Sequence, residues 1–209
     1  MRLGVKADAF VFGFVGRLSE QKAPERLIGA FARMAADIPQ TELAMVGFGP
    51  LDADVRQQIG ASGFADRIRL TADIAGADAM QAFDALVMPS RYEAMSYVML
   101  EAAAAGLPLI LSDVGGASTV LDNGVNGFVI ANSDDVGELA AAMTKAADAA
   151  CHARLKSAAE ARRGDYSLDK MVEETERVYH ELVHFPLGYV GETPPSALPG
   201  ISPSRGENS

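Results

Sequence analysis

Short apolar runs rich in β-branched and aromatic residues recur along the chain, each followed by a stretch whose apolar positions fall three or four residues apart. A strand buried on both faces reads as a continuous apolar run, so this alternation is the pattern of a parallel sheet with helices on either side. Strands are predicted at Phe10–Val15, Glu42–Val46, Ile68–Thr71, Ala85–Met88, Pro108–Leu111 and Gly127–Ile130. Between the first two, Pro24 stands near a helix start, and Leu27, Ile28, Phe31, Met34 and Ile38 share one face of the helix that follows. Further helices are predicted over Asp52–Ala61, Asp78–Phe83, Tyr97–Ala105, Asp134–Ala149, Ala153–Arg163 and Leu168–Leu182. The expected fold class is α/β: a doubly wound, mostly parallel, Rossmann-like sheet joined by right-handed crossovers.

The pattern stops near residue 183. Residues 184–209 hold five of the ten prolines with four glycines and four serines, which leaves too little apolar surface to offset ordering entropy. The expected organisation is one domain over 1–183 and a mobile tail over 184–209. The first strand begins with almost no lead-in, which suggests a piece cut from a longer protein.

With 49% hydrophobic residues, 209 residues support one sizeable core. Eighteen Lys and Arg against 28 Asp and Glu give a formal charge of −10, which argues against a nucleic-acid partner and against contact with an anionic membrane surface. Any anionic ligand must therefore be met locally. The lone cysteine, Cys151, excludes internal disulfides and multi-cysteine metal sites. The most apolar segment, Ala102–Leu111, is broken by Gly106 and Pro108 and is too short to span a bilayer. These features fit a cytoplasmic protein.

In open α/β sheets ligands bind beyond the carboxyl ends of the strands, so the loops after the strands carry the candidate chemistry. After the first strand, Gly16, Arg17 and Lys22 precede a helix, where two flexible cations and helix-terminal amides make an anion site. Two solvated surface charges are the plainer alternative. After the second strand, Gly47-Phe48-Gly49-Pro50 holds a glycine pair without the third glycine of a dinucleotide fingerprint. After the fourth, Glu93 falls in a turn and Glu101 about one turn into the next helix, roughly 12 Å apart if both were helical, a span suited to opposite ends of an elongated ligand. Glu101, set among Leu100, Ala102 and Ala103, needs a hydrogen-bonding partner if buried; capping a neighbouring loop is its alternative role. Gly115-Gly116 after the fifth strand offers either a backbone cradle for phosphate or sugar or a plain turn. The three histidines, His152, His180 and His184, lie late in the chain and read as surface residues, and the methionines as core fillers, with Met95 and Met99 beside the site as exceptions.

Taken in order, these loops with Pro89-Ser90, Gly106-Leu107-Pro108 and Asn123-Gly124-Val125-Asn126-Gly127 resemble the C-terminal, donor-binding half of the group-1 retaining glycosyltransferases of GT-B fold, from about Arg2 to Leu182. The resemblance implies that Arg17 and Lys22 hold the donor diphosphate, that Glu93 touches the donor sugar and that Glu101 takes the ribose hydroxyls. It places Met95, Ser96 and Tyr97 against sugar and phosphate at a helix start, and Asp73 and Ile74 beside the base. It further implies a nucleoside-diphosphate sugar as substrate, UDP or GDP being the expected carriers, with no cofactor and no metal, and an N-terminal acceptor domain as the partner this chain lacks. Three positions depart from the family pattern: Met95-Ser96 replaces Phe-Gly, Ala72 a glycine, and Thr119 a glutamate. These departures are the features favouring a non-catalytic nucleotide-binding or scaffolding module. A nicotinamide-dependent Rossmann domain is disfavoured, because the loop after the first strand lacks the full glycine fingerprint.

Overall fold

The six strands of the computed structural model, which describes residues 3–183, all run parallel. They are β1 (Phe10–Val15), β2 (Thr41–Val46), β3 (Ile68–Thr71), β4 (Ala85–Met88), β5 (Leu109–Ser112) and β6 (Gly127–Ile130), in the order β3-β2-β1-β4-β5-β6. The helices between and after them are α1 (Pro24–Ala35), α2 (Asp52–Ala61), α3 (Gly76–Met80), α4 (Tyr97–Ala104), α5 (Ala117–Val120), α6 (Gly137–Ala147), α7 (Ala149–Ala161) and α8 (Leu168–Val183).

Strand alternation divides the core in two. Phe12, Phe14, Leu43 and Met45 point to the face covered by Leu27, Ile28, Phe31 and Met34 of α1, Val55 of α2 and the buried sides of α6 and α7. Val11, Ala44, Leu86, Met88 and Leu109 point to the other face, against Ala79 and Met80 of α3, Met99, Ala102 and Ala103 of α4, and Val120 of α5. Met99 is therefore a core residue and no part of a site, while Met95 is exposed. His152 is half-buried at the amino-terminal edge of the sheet: its Nε2 lies 3.1 Å from the Asp84 carbonyl and its ring meets Phe10 edge-on. At the same end, buried Arg67 donates to the carbonyls of Ala35, Ile38 and Thr41, closing the carboxyl end of α1.

Several boundaries differ from expectation for local reasons. The helix predicted over Asp134–Ala149 starts at Gly137, because Asp134 is drawn outward to two arginines, and it ends at Ala147. Asp148 is extended, with ψ 127°, and its carboxylate accepts from the Cys151 N–H at 2.9 Å, capping a new helix, α7, four residues earlier than predicted. Helix α3 starts at Gly76, where a β-carbon would lie 2.6 Å from Val15 Cγ1, so glycine lets its first turn sit on the end of β1. Strand β5 starts after Pro108, which has no N–H for the ladder. Helix α5 was not expected.

The chain divides into two compact units, the first ending at Met171 and the second beginning at Val172, within α8. In the second, Arg177 pairs with Glu174 and Glu181 along the helix. The predicted tail over 184–209 lies outside the described residues. Among the described residues, no helix is long and apolar enough to cross a membrane.

Packing at the centre of β1 is tight enough to measure. A β-carbon on Gly13 would fall 2.0 Å from the buried Phe83 ring, so the ring occupies the space a side chain would need. Gly13→Ala is expected to destabilise the domain by about 1–3 kcal/mol in equilibrium urea unfolding, and an unchanged transition would contradict this packing.

Candidate functional site

Strand order reverses between β1 and β4, so the loops leaving these adjacent strands part to opposite sides and open a crevice at the carboxyl edge of the sheet. The β1 loop carries Gly16, Arg17 and a short 3-10 turn over Glu20–Lys22, and the β4 loop runs from Pro89 to Ser96. Across the crevice Lys22 Nζ and Glu93 Oε2 form an ion pair, with the two side chains 13% and 11% exposed. Gln21 Nε2 donates to the Tyr92 carbonyl at 3.2 Å and lies 3.5 Å from Glu93 Oε1. Lys22 is thus not the free cation expected from the sequence. Its charge is spent on the carboxylate expected to reach the donor sugar.

Arg17 differs. It is exposed, and its guanidinium makes no hydrogen bond or ion pair with any described residue. With Gly16 and Ile74 it lines a cavity of about 910 Å³ whose wall also includes Phe48, Pro50 and Ala72. Asp73 lines a neighbouring cavity of about 370 Å³, and its N–H donates to Thr71 Oγ1 at 3.2 Å. Met95, Ser96, Tyr97 and Glu101 gather at the amino-terminal end of α4, outside both cavities. Tyr97 is 82% exposed, and Glu101, one turn further along the same face, is also exposed and without a partner among the described residues. Glu101 therefore neither needs a buried partner nor caps a loop. Ser96, at the helix N-cap, has φ −85° and ψ 133°, a conformation open to any residue, so replacing glycine here costs no backbone strain.

The glycine loops pack backbone against backbone. Gly47 has φ 152°, and a β-carbon there would lie 1.8 Å from the Gly16 carbonyl oxygen; at Gly49 it would lie 2.3 Å from that of Leu18. The loop after β2 thereby presses on the loop that carries Arg17, an approach sealed by the Leu18 N–H donating to the Phe48 carbonyl at 3.0 Å. Gly116, with φ 81°, does the same under the β4 loop: a β-carbon would come within 2.4 Å of the Ala94 carbonyl oxygen, and one on Gly115 within 2.7 Å of that of Glu93. These two glycines make room for the Glu93 turn.

Five side chains that sequence reasoning missed, those of Glu25, Arg26, Arg91, Asn132 and Asp134, fasten the crevice. Buried Arg26 donates to Asp134 Oδ1 (2.9 Å), Asn132 Oδ1 (2.8 Å) and the Pro89 carbonyl (3.2 Å). Arg91 donates to Glu25 (2.6 Å), to Asp134 (2.9 Å) and to the Glu20 carbonyl (3.0 Å), while its own N–H reaches the Gln21 carbonyl at 2.8 Å. Together they tie the loops after β1, β4 and β6. Burial opposes the Arg91 charge, yet the hydrogen bond to Glu25 and the fields of Glu25 and Asp134 outweigh it and hold its pKa above the usual guanidinium value. Asp134 is held below the ordinary carboxylate value, first by its hydrogen bond to Arg26 and then by the charges of Arg26 and Arg91. Among the described residues, no three His, Cys, Asp or Glu side chains stand together as a metal site.

Because the Asp134 carboxyl has a lower pKa folded than unfolded, its contribution to stability is present above the unfolded value, about 3.9, and is lost as pH falls through the folded one. Asp134→Asn is therefore expected to lower the melting temperature at pH 7 and to converge with the unmodified protein as pH falls well below the ordinary carboxylate value, as followed by circular dichroism across pH. A constant difference down to pH 2 would show that the carboxylate charge plays no part.

The comparisons agree with this geometry. Residues 9–149, which take in every loop of the crevice, match the family Glycosyl transferases group 1. The D-inositol 3-phosphate glycosyltransferase of Geodermatophilus obscurus is 36% identical over 152 residues, covering 67% of this chain and 34% of that protein. A Mycobacterium tuberculosis glycogen synthase is 33% identical over 174 residues, covering 79% and 41%. Among solved structures, the pneumococcal O-GlcNAc transferase GtfA in complex with UDP and GlcNAc superposes with a TM-score of 0.77 at 21% identity, over 87% of this chain and 38% of that one. Anabaena HepE in complex with UDP and glucose does so with 0.72 at 27% identity, over 85% and 49%. The chain thus spans between a third and a half of the length of these proteins. With a six-stranded parallel sheet that superposes on those of known glycosyltransferases and a family match across the whole crevice, the chain belongs to the group-1 glycosyltransferases.

Proposed function

We propose that this chain is the donor-binding half of a retaining glycosyltransferase, taking a nucleoside-diphosphate sugar at the crevice between the β1 and β4 loops. The observation that carries the reading is Arg17: a cation without a partner among the described residues, in a chain of net negative charge, lining a cavity of about 910 Å³ at the switch point of the sheet. The HepE complex with UDP and glucose supports UDP as the carrier.

In this reading the diphosphate binds Arg17 and the amino-terminal end of α4, and it competes with Glu93 for Lys22. Freed by that exchange, the Glu93 carboxylate takes hydroxyls of the sugar, and exposed Glu101 takes those of the ribose. As the sugar–phosphate bond breaks, negative charge grows on the departing diphosphate, and fixed cations stabilise it without reorganisation. Arg17 and Lys22 supply that charge, and binding needs no metal ion. Transfer also requires an acceptor held in line and water excluded by closure of a second domain. The chain covers only 34–49% of the four relatives named above, and in this reading the acceptor site belongs to a further domain. On its own the chain is expected to bind donor without transferring sugar.

Calorimetric titration with UDP, GDP and ADP and their sugar conjugates, with and without EDTA, tests this directly. Arg17→Ala is expected to weaken nucleoside-diphosphate binding by roughly 1.5–3 kcal/mol while barely changing nucleoside binding. Equal losses for both ligands would remove the cation from the phosphates. Glu101→Gln should weaken UDP more than its 2′,3′-dideoxy analogue, since an amide oxygen is a poorer acceptor for two hydroxyls. Alike losses would make Glu101 structural. Absence of binding to every nucleotide would favour a scaffolding module instead.

A further inference from the structure

An aromatic ring stands exposed where nothing in the fold requires it. Phe48 is 74% exposed, although Phe10, Phe12, Phe14, Phe31 and Phe83 all help to form the core. Its backbone has no slack. The Gly47 N–H donates to the Thr71 carbonyl at 2.9 Å, the Phe48 carbonyl accepts from Leu18 at 3.0 Å, and the glycines on either side leave no room for a β-carbon. The ring is thus presented from a fixed point on the wall of the cavity that also holds Arg17 and Ile74.

The lining limits what that cavity can take. Apart from Arg17, its one charged side chain is Asp52, whose two carboxylate oxygens are occupied by Arg56 at 2.7 and 3.3 Å. A sugar, dense in hydroxyls, would find a single carboxylate there, already paired with Arg56. A flat aromatic base would find a phenyl face beside the aliphatic surface of Ile74, Pro50 and Val46, with the cation at the rim placed for the phosphates attached to it.

We propose that Phe48 is the stacking wall for the nucleobase and hence an affinity-determining residue of the donor site; the inference rests on the donor-binding reading above. Stacking accepts any base, so Phe48 contributes affinity common to all nucleotides, and choice among bases falls to groups at the edge of the ring.

The test uses the whole chain with UDP and inorganic pyrophosphate as calorimetric probes and compares Phe48→Ala with Phe48→Tyr. Because the side chain is exposed, thermal melting should be unchanged in both variants. Phe48→Ala is expected to lower UDP affinity about 5- to 150-fold and to leave pyrophosphate affinity alone, while Phe48→Tyr, which keeps the ring, stays within about twofold for both. If Phe48→Ala binds UDP as tightly as the unmodified protein, Phe48 is not the wall and the donor reading still stands. A loss shared equally by UDP and pyrophosphate would place the effect on the Arg17 loop and overturn the stacking role. If the unmodified protein binds no nucleotide, the donor reading fails and this inference with it.

Discussion

Two loops that leave adjacent strands in opposite directions are drawn back together by the pairing of Lys22 with Glu93, and the candidate site depends on that contact. Both side chains are mostly shielded from water, where an unpaired charge is costly, so each compels the other to stay. Arg91 and Arg26 repeat the connection one layer out through Glu25, Asn132 and Asp134. The glycine pairs then let the neighbouring loops lie directly on these two. The crevice is thereby built before any ligand arrives, which lowers the ordering cost of binding.

The same contact divides the two cations by role. Arg17, without a partner among the described residues, can offer its charge to an anion at no cost to the fold. Lys22 is committed, so any anion must compete with Glu93 for it, and removing Lys22 would leave a shielded carboxylate without its cation. Substitution at 22 is therefore expected to affect stability and binding together, and substitution at 17 binding alone. Under the proposed exchange, a diphosphate alone takes Lys22 from Glu93, whereas a diphosphate carrying a sugar also offers Glu93 hydroxyls to accept from.

How much of this was legible in the sequence follows from how local each signal is. All six strands were readable because each is a short apolar run, and α1 because Leu27, Ile28, Phe31 and Met34 repeat at helical spacing. The rule that ligands bind beyond the carboxyl ends of the strands pointed to the loops of Arg17, Lys22 and Glu93, which the structure brings to one crevice. The fastening by Arg26 and Arg91 was not readable, because their side-chain partners Asn132 and Asp134 lie 43 to 108 residues away and nothing local marks an arginine as buried. The break at Asp148 was hidden within an alanine-rich run, where a capping aspartate looks like one more polar helix position. Glu101 was misjudged from its apolar neighbours in sequence, because on a helix the residues beside it in the chain point elsewhere.

The claim that the carboxyl edge of the sheet is a preformed nucleotide site is tested most directly by mapping UDP onto the backbone amides by two-dimensional NMR. Shifts are expected to be confined to residues 16–23, 47–50, 72–76 and 93–101, with the Lys22 and Glu93 amides among the most affected as the diphosphate draws Lys22 away from Glu93. The amino-terminal edge, at Lys6, Glu42 and His152, should stay silent. Shifts clustered at that opposite edge, or none at saturating UDP, would contradict it.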